Sequence, residues 1–323
     1  MNTTFAARAA WAALLIVALY AVVPWLFGRN LYLMSMFVAS LTIGGIALAW
    51  ALLGNLGGLV SFGHAAFFGV GAYASALLVM KSGWPVMLAV PAAGVVAALA
   101  AVLVLPALRL RGPYFALAVL AYAHIFRIIA TEWKGLTNGA GGIASIPPFP
   151  VIHGVDFASK SGGYWIVLTL VLAFALAYWR VRASHYGLAL RAMHDSEEAT
   201  RAVGVNSTLL KASMLFLSAF MTGVMGAFNA HYINFLEPDY AFSGLWTMLP
   251  IVAAIFGGYR TIVGPIVGAI VVYLVDQLVF KEALPNGHQI VLGALLGGMI
   301  LFSPGGLLPL LTRKRRLVTF QHA

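Results

Sequence analysis

The 323-residue chain contains no cysteine. Disulfides, thiolate nucleophiles and cysteine-ligated metals are therefore excluded. Charge is almost as scarce: Asp, Glu, Lys and Arg make up 9% of the sequence, against about 25% in a soluble domain. A chain of this composition could not cover its own surface with polar groups in water. Only nine residues are acidic, which leaves little carboxylate for ion-coupled transport. No G-x-x-x-x-G-K-[ST] loop occurs, so the polypeptide lacks the cradle needed to hydrolyse ATP itself. The eight histidines come with no H-E-x-x-H pair or carboxylate cluster, so neither a metal nor a cofactor is expected.

What is present is oil. Hydrophobic residues are 62% of the chain and the mean hydropathy is +0.95, which points to lipid as the solvent. The net charge of +10 does not mark nucleic-acid binding, because the basic residues sit in short clusters between apolar runs rather than along one face. Such clusters fit the cytoplasmic loops of a membrane protein.

A helix needs about 20 apolar residues to cross the hydrocarbon core. That template gives about ten spans, at roughly 11–27, 31–54, 59–80, 84–108, 113–131, 164–179, 209–232, 242–258, 262–280 and 288–311. The first run is long for a secretory signal and is followed by PWLFGRN rather than a small-residue cleavage site, so it reads as a span. Between Leu31 and Met80 the sole interruption is GNLGGLVSFGH, equally consistent with a broken or re-entrant helix. With the N-terminus inside, 13 of the 19 Lys and Arg residues fall on the cytoplasmic side and 5 outside, with Arg127 within a span. This is the bias of the positive-inside rule. The expectation is an all-α, polytopic helix bundle forming one domain over 1–323, with both termini cytoplasmic. It would carry an external loop at 132–163, a cytoplasmic coupling loop at 180–208 and a basic tail at 312–323 that attracts anionic membrane lipid.

The stretch HYGLALRAMHDSEEATRAVGVN (185–206) is a charged island in this apolar chain. Asp195 or Ser196 can cap a helix start, and Asp195-x-x-Glu198 has capping-box spacing. Glu197 and Arg201 form a favourable i,i+4 pair. Gly204, with Asn206 beyond it, supplies a helix stop. The plain alternative is a solvated connection, but a simple link between spans needs only a few residues. The island therefore reads as a helical element presented to a partner.

Glu198-Ala199-Thr200 followed by Gly204 resembles the EAA-x-x-x-G pattern of ABC-importer permeases, with Thr in place of the second Ala. The wider chain resembles the LivM-type permeases of branched-chain amino acid importers. The segments are GNLGGLVSFGHAAFFGVGAYASALL (54–78), RLRGPYFALAVLAYAHIFRIIATEWKGLTNGAGGI (109–143), SHYGLALRAMHDSEEATRAVGVN (184–206), IFGGYRTIVGPIVGA (255–269) and FSPGGLL (302–308). The resemblance implies that Asp195, Glu197, Glu198, Ala199, Arg201 and Gly204 couple the permease to an ATPase. It also implies a bacterial inner-membrane assembly with a LivH-type sister permease, two ATP-binding subunits and a periplasmic substrate-binding protein. The implied cargo is branched-chain or other apolar amino acids; urea and short-chain amide permeases share the superfamily.

Small residues recur at helical spacing, as in Gly71-xxx-Ser75, Ala219-xxx-Gly223 and Gly264-xxx-Gly268, the pattern that lets helices approach closely in lipid. The glycine density of Gly54–Gly71 suggests a break, tolerated where backbone is buried or lines a wet cavity. On that reading Asn55, Ser61, Phe62 and His64 are candidates for a translocation pathway. Ser61 and His64 share a helix face, but nothing supplies an oxyanion donor set for a serine hydrolase. Arg127 is read as snorkelling or pairing with Glu132, and Asp276 lies near the end of a span. A facilitator working alone remains the alternative. It would need midplane carboxylates, which this sequence hardly has.

Overall fold

The computed structural model describes residues 3–110, 112–283, 287–302 and 305–306. Arg111 and the basic tail 312–323 lie outside the described residues. The helices in chain order are α1 (Thr3–Phe27), α2 (Leu31–Gly57), α3 (His64–Ser82), α4 (Val86–Ala100), α5 (Pro113–Glu132), α6 (Lys160–Ala183), α7 (His185–Asp195), α8 (Glu197–Ala202), α9 (Ser207–Ile233), α10 (Leu245–Gly257), α11 (Val263–Val275) and α12 (His288–Phe302). α4 tightens into a 3-10 helix over Ala101–Arg109, a stretch containing Pro106. α11 widens into a π turn over Asp276–Phe280.

Among the described residues eight helical stretches are long and apolar enough to cross a membrane, α10 counted with the short helix Pro238–Ala241 before it and α11 with its π turn. Eight of the expected spans coincide with these stretches. The two further spans in the expectation of about ten are 11–27, which falls in α1, and 288–311, which begins in α12 and runs past the described residues. The expected interruption near residue 60 is a joint between two full-length helices. Gly58 takes φ +65°, and the Leu59 N–H returns to the Leu53 carbonyl, closing α2. Residues 58–63 are non-helical, and α3 begins at His64.

α2 is buried nearly all round and packs against α6, α9, α10 and α11. It is the spine of the bundle. α9 lies against α3 and α4, where glycines replace side chains at the contact: a Cβ on Gly71 would overlap the Gly223 carbonyl. The α10–α11 contact is built the same way, Gly257 meeting the Gly264 carbonyl.

One end of the bundle carries residues 58–63, Leu110, Gly112, 184–206 and 258–262. The other carries the long 133–159 connection. The latter adds two small ladders to the all-α expectation: β1 (Ile143–Ala144) pairs antiparallel with β4 (Phe235–Leu236), and β2 (Val151–Ile152) with β3 (Val155–Asp156). The first ladder ties this connection to the one following α9. Nearby, Arg127 does not pair with Glu132; its guanidinium lies 2.7 Å from Asp239. Helix geometry sets the i+5 position off the Arg127 face, while the short helix Pro238–Ala241 brings Asp239 onto it.

Candidate functional site: the charged island and the joint beneath it

Three side-chain caps shape the island. Ser184 Oγ accepts the Gly187 N–H to start α7, Ser196 Oγ accepts the Ala199 N–H to start α8, and Asn206 Oδ1 accepts the Leu209 N–H to start α9. The α8 cap is therefore Ser196. Asp195 is the last residue of α7, so the Asp195–Glu198 capping box does not form. Gly204 sits beyond α8 at φ +89°, a conformation costly for any residue with a Cβ.

α7 is amphipathic, burying Leu190 and Met193 against the bundle while Tyr186 and Leu188 face outward. α8 is held differently. Glu197 accepts hydrogen bonds from Arg201 (2.8 Å), Ser207 Oγ (2.9 Å) and Lys211 Nζ (2.7 Å). Arg201 Nε in turn donates to Ser207 Oγ at 2.6 Å. The expected Glu197–Arg201 pair exists, yet the longer reach to Lys211 matters more, since it joins α8 to the first turns of the spanning helix α9. The Lys211 hydrogen bond, with lesser help from Ser207 and Arg201, holds the Glu197 carboxyl below its ordinary range against the opposing effect of burial.

With Glu197 turned inward, the outward face of the island consists of Asp195, Glu198, Ala199, Ala202, Val203 and Gly204, all exposed. Val203 is 79% exposed. Between this face and the ends of α2 and α4 lies a cleft of about 700 Å³ lined by Gly58, Arg109, Glu197, Glu198, Arg201 and Lys211 among others. Its walls mix three cations and two carboxylates at the rim of an apolar bundle, which suits a polar protein surface better than a small apolar ligand.

The pathway candidates lie in and beside the 58–63 joint. Asn55 Nδ2 donates to Tyr178 Oη at 2.8 Å, tying α2 to α6. Ser61 is fully buried; its carbonyl accepts from Trp50 Nε1 at 3.0 Å and its Oγ from the Gly63 N–H. His64, also fully buried, meets Ser218 Oγ at 3.0 Å. Ser218 donates its proton to the Ala49 carbonyl, so His64 Nε2 must be the donor in that contact. Phe62 alone of the four is exposed. The first three thus fasten the joint to α2, α6 and α9. The partners Tyr178, Trp50 and Ser218 escaped sequence reasoning, being single polar atoms inside apolar runs.

A family model described as "Branched-chain amino acid transport system / permease component" matches residues 32–302. The chain is 29% identical to the high-affinity branched-chain amino acid transport system permease protein LivM of Salmonella typhimurium, an alignment covering 96% of this chain and 76% of that protein. It is 29% identical to the Escherichia coli protein of the same name, over 84% of this chain and 69% of the relative. It is also 23% identical to the Escherichia coli permease LivH, over 86% of this chain and 96% of that one. No solved structure matches the chain.

Proposed function

Because the chain belongs to the family of permease components of branched-chain amino acid transport systems, we propose that it moves such amino acids through the bacterial inner membrane as one subunit of an ATP-driven importer, with residues 184–206 receiving the drive. It is a multi-pass transport subunit, not an enzyme. Its partners are a LivH-type sister permease, two ATP-binding subunits and a periplasmic substrate-binding protein. Ten spans, with both termini and the island on the cytoplasmic side, accord with the distribution of Lys and Arg. The 133–159 end then faces the binding protein.

The observation that carries this reading is the reach of Glu197 to Lys211. A partner ATPase that closes on nucleotide pushes the exposed face of α8, Glu198 and Ala199 foremost. Because Glu197 locks α8 to the base of α9, that push tilts α9. α9 is packed through glycine contacts on α3 and α4, so these helices move with it. The bundle thus becomes a two-state element whose equilibrium is set by nucleotide bound elsewhere. The 58–63 joint, pinned by His64 and Ser61, is where α2 and α3 can change their angle.

Co-expression of the chain with its genomic neighbours tests this. Wild type retains nucleotide-binding subunits through purification. Glu198→Arg and Gly204→Pro lose them, the second because proline cannot adopt φ +89°. If no nucleotide-binding subunit accompanies the wild-type chain, a facilitator acting alone is the better account.

A further inference from the structure

At the 133–159 end, the outer parts of α2, α9, α10 and α11 diverge around a cavity of about 390 Å³. That is the volume of roughly a dozen waters at about 30 Å³ each, and it lies within the range of small-ligand sites. It contains none of the four pathway candidates. Among the described residues, no Asp, Glu, Lys or Arg lines it, so a ligand of net charge would find no counter-charge there.

Several of its polar groups are sorted by side. On α2, Ser35 Oγ donates to the Tyr32 carbonyl (2.7 Å) and Thr42 Oγ1 to the Val38 carbonyl (2.8 Å). Their protons are committed, and what they offer is lone pairs. Opposite, Tyr240 Oη donates to Asn229 Oδ1 at 2.9 Å. That contact fixes the amide and leaves Asn229 Nδ2 as a donor with no protein acceptor among the described residues. Tyr273 Oη on α11 is likewise without a hydrogen-bond partner among them. At these groups α2 therefore accepts while Asn229 and Tyr273 donate, with Tyr232, Ser243 and Gln277 completing the polar lining. Between them stand Val38, Trp246 and Leu249, with Trp246 held by stacking on Phe68 (ring centroids 4.1 Å) and by donating Nε1 to the Tyr240 carbonyl.

We infer that this cavity is the outward station for a zwitterionic amino acid with an aliphatic side chain. Its ammonium turns to Ser35 and Thr42, its carboxylate to Asn229 and Tyr273, and its side chain to Trp246 and Leu249. The inference rests on the amino-acid importer reading above. Neutral donors and acceptors hold the ligand without trapping it, as conduction requires.

The test is uptake by the complete assembly in proteoliposomes, comparing L-leucine with L-alanine for wild type, Thr42→Val, Asn229→Leu and Leu249→Trp. Losing one hydrogen bond to a charged ligand group lowers leucine uptake by Thr42→Val and by Asn229→Leu about tenfold per assembled transporter. Leu249→Trp fills the apolar wall and lowers the leucine-to-alanine uptake ratio at least tenfold; this ratio does not depend on how much variant folds. A wild-type ratio in Leu249→Trp overturns the cavity as the station while leaving the importer reading intact. A wild-type assembly that hydrolyses ATP yet moves neither amino acid overturns that reading, and the station's ligand class with it.

Discussion

Replacing Glu197 by Gln removes the charge from the strut while keeping its shape. In the folded chain the Glu197 side chain is 35% exposed and that of Lys211 18% exposed. The pair lies between two limits: a solvent-exposed pair contributes about 0–1 kcal/mol, and losing one member of a buried pair costs about 3–5 kcal/mol. The three hydrogen bonds to Glu197 share one carboxylate and do not add fully. About 1–2 kcal/mol is the consistent figure, a factor of about 5–30 in the equilibrium between docked and detached α8. Hydrogen exchange at the amides of 198–203 reads this equilibrium directly. Glu197→Gln therefore accelerates their exchange about 5–30-fold, with little change in the middle of α2. Lys211→Met produces a similar change, and the double variant falls short of the sum by about 1 kcal/mol. Exchange within twofold of wild type, or strictly additive variants, refutes the strut.

The same carboxylate sets a pH dependence. Its folded pKa is depressed from the ordinary 4.5, so the stabilisation of α8 is full above that value and disappears as pH falls through the lower folded value. Amide protection of 198–203 follows that course, and a flat profile between pH 7 and 3 contradicts it. Ser218→Ala leaves the buried His64 Nε2–H without an acceptor and costs about 1–3 kcal/mol, read as lowered thermal stability of the purified chain; an unchanged midpoint contradicts the assignment. Gly71→Leu drives a side chain into the Gly223 backbone, where overpacking costs at least 1–3 kcal/mol, so the variant purifies as an aggregated or loosened species by size-exclusion chromatography. Arg127→Ala, by contrast, changes stability by no more than about 1 kcal/mol, since its pair with Asp239 is exposed at 43% and 77%.

How much of this was legible beforehand differs by distance along the chain. The spans were legible because an apolar run of bilayer length is a one-dimensional signal, and most of the expected boundaries fall within a few residues of the helices found. Glu197–Arg201 was legible because helix geometry fixes i,i+4 neighbours. Glu197–Lys211, 14 residues apart across a turn, was not, since the turn decides whether they meet. Arg127–Asp239 and His64–Ser218 join positions more than 100 residues apart, which only the packed bundle brings together. The choice of Ser196 over Asp195 as cap turned on where α7 ends, the least predictable feature of a helix. The cavity near Asn229 left no trace in sequence, because Asn229, Tyr240 and Tyr273 are isolated polar groups on three separate elements.

The most direct measurement of the central claim uses the absence of cysteine. A single Glu198→Cys in this cysteine-free chain, co-assembled with its genomic partners, carries the only thiol of the permease on the outward face of α8. Treated with a short bifunctional thiol–amine reagent, it cross-links to a nucleotide-binding subunit, and the yield changes when ATP is bound. Leu99→Cys, exposed on the side of α4, gives no such product. An active assembly in which position 198 cross-links to no nucleotide-binding subunit, with or without ATP, contradicts the account.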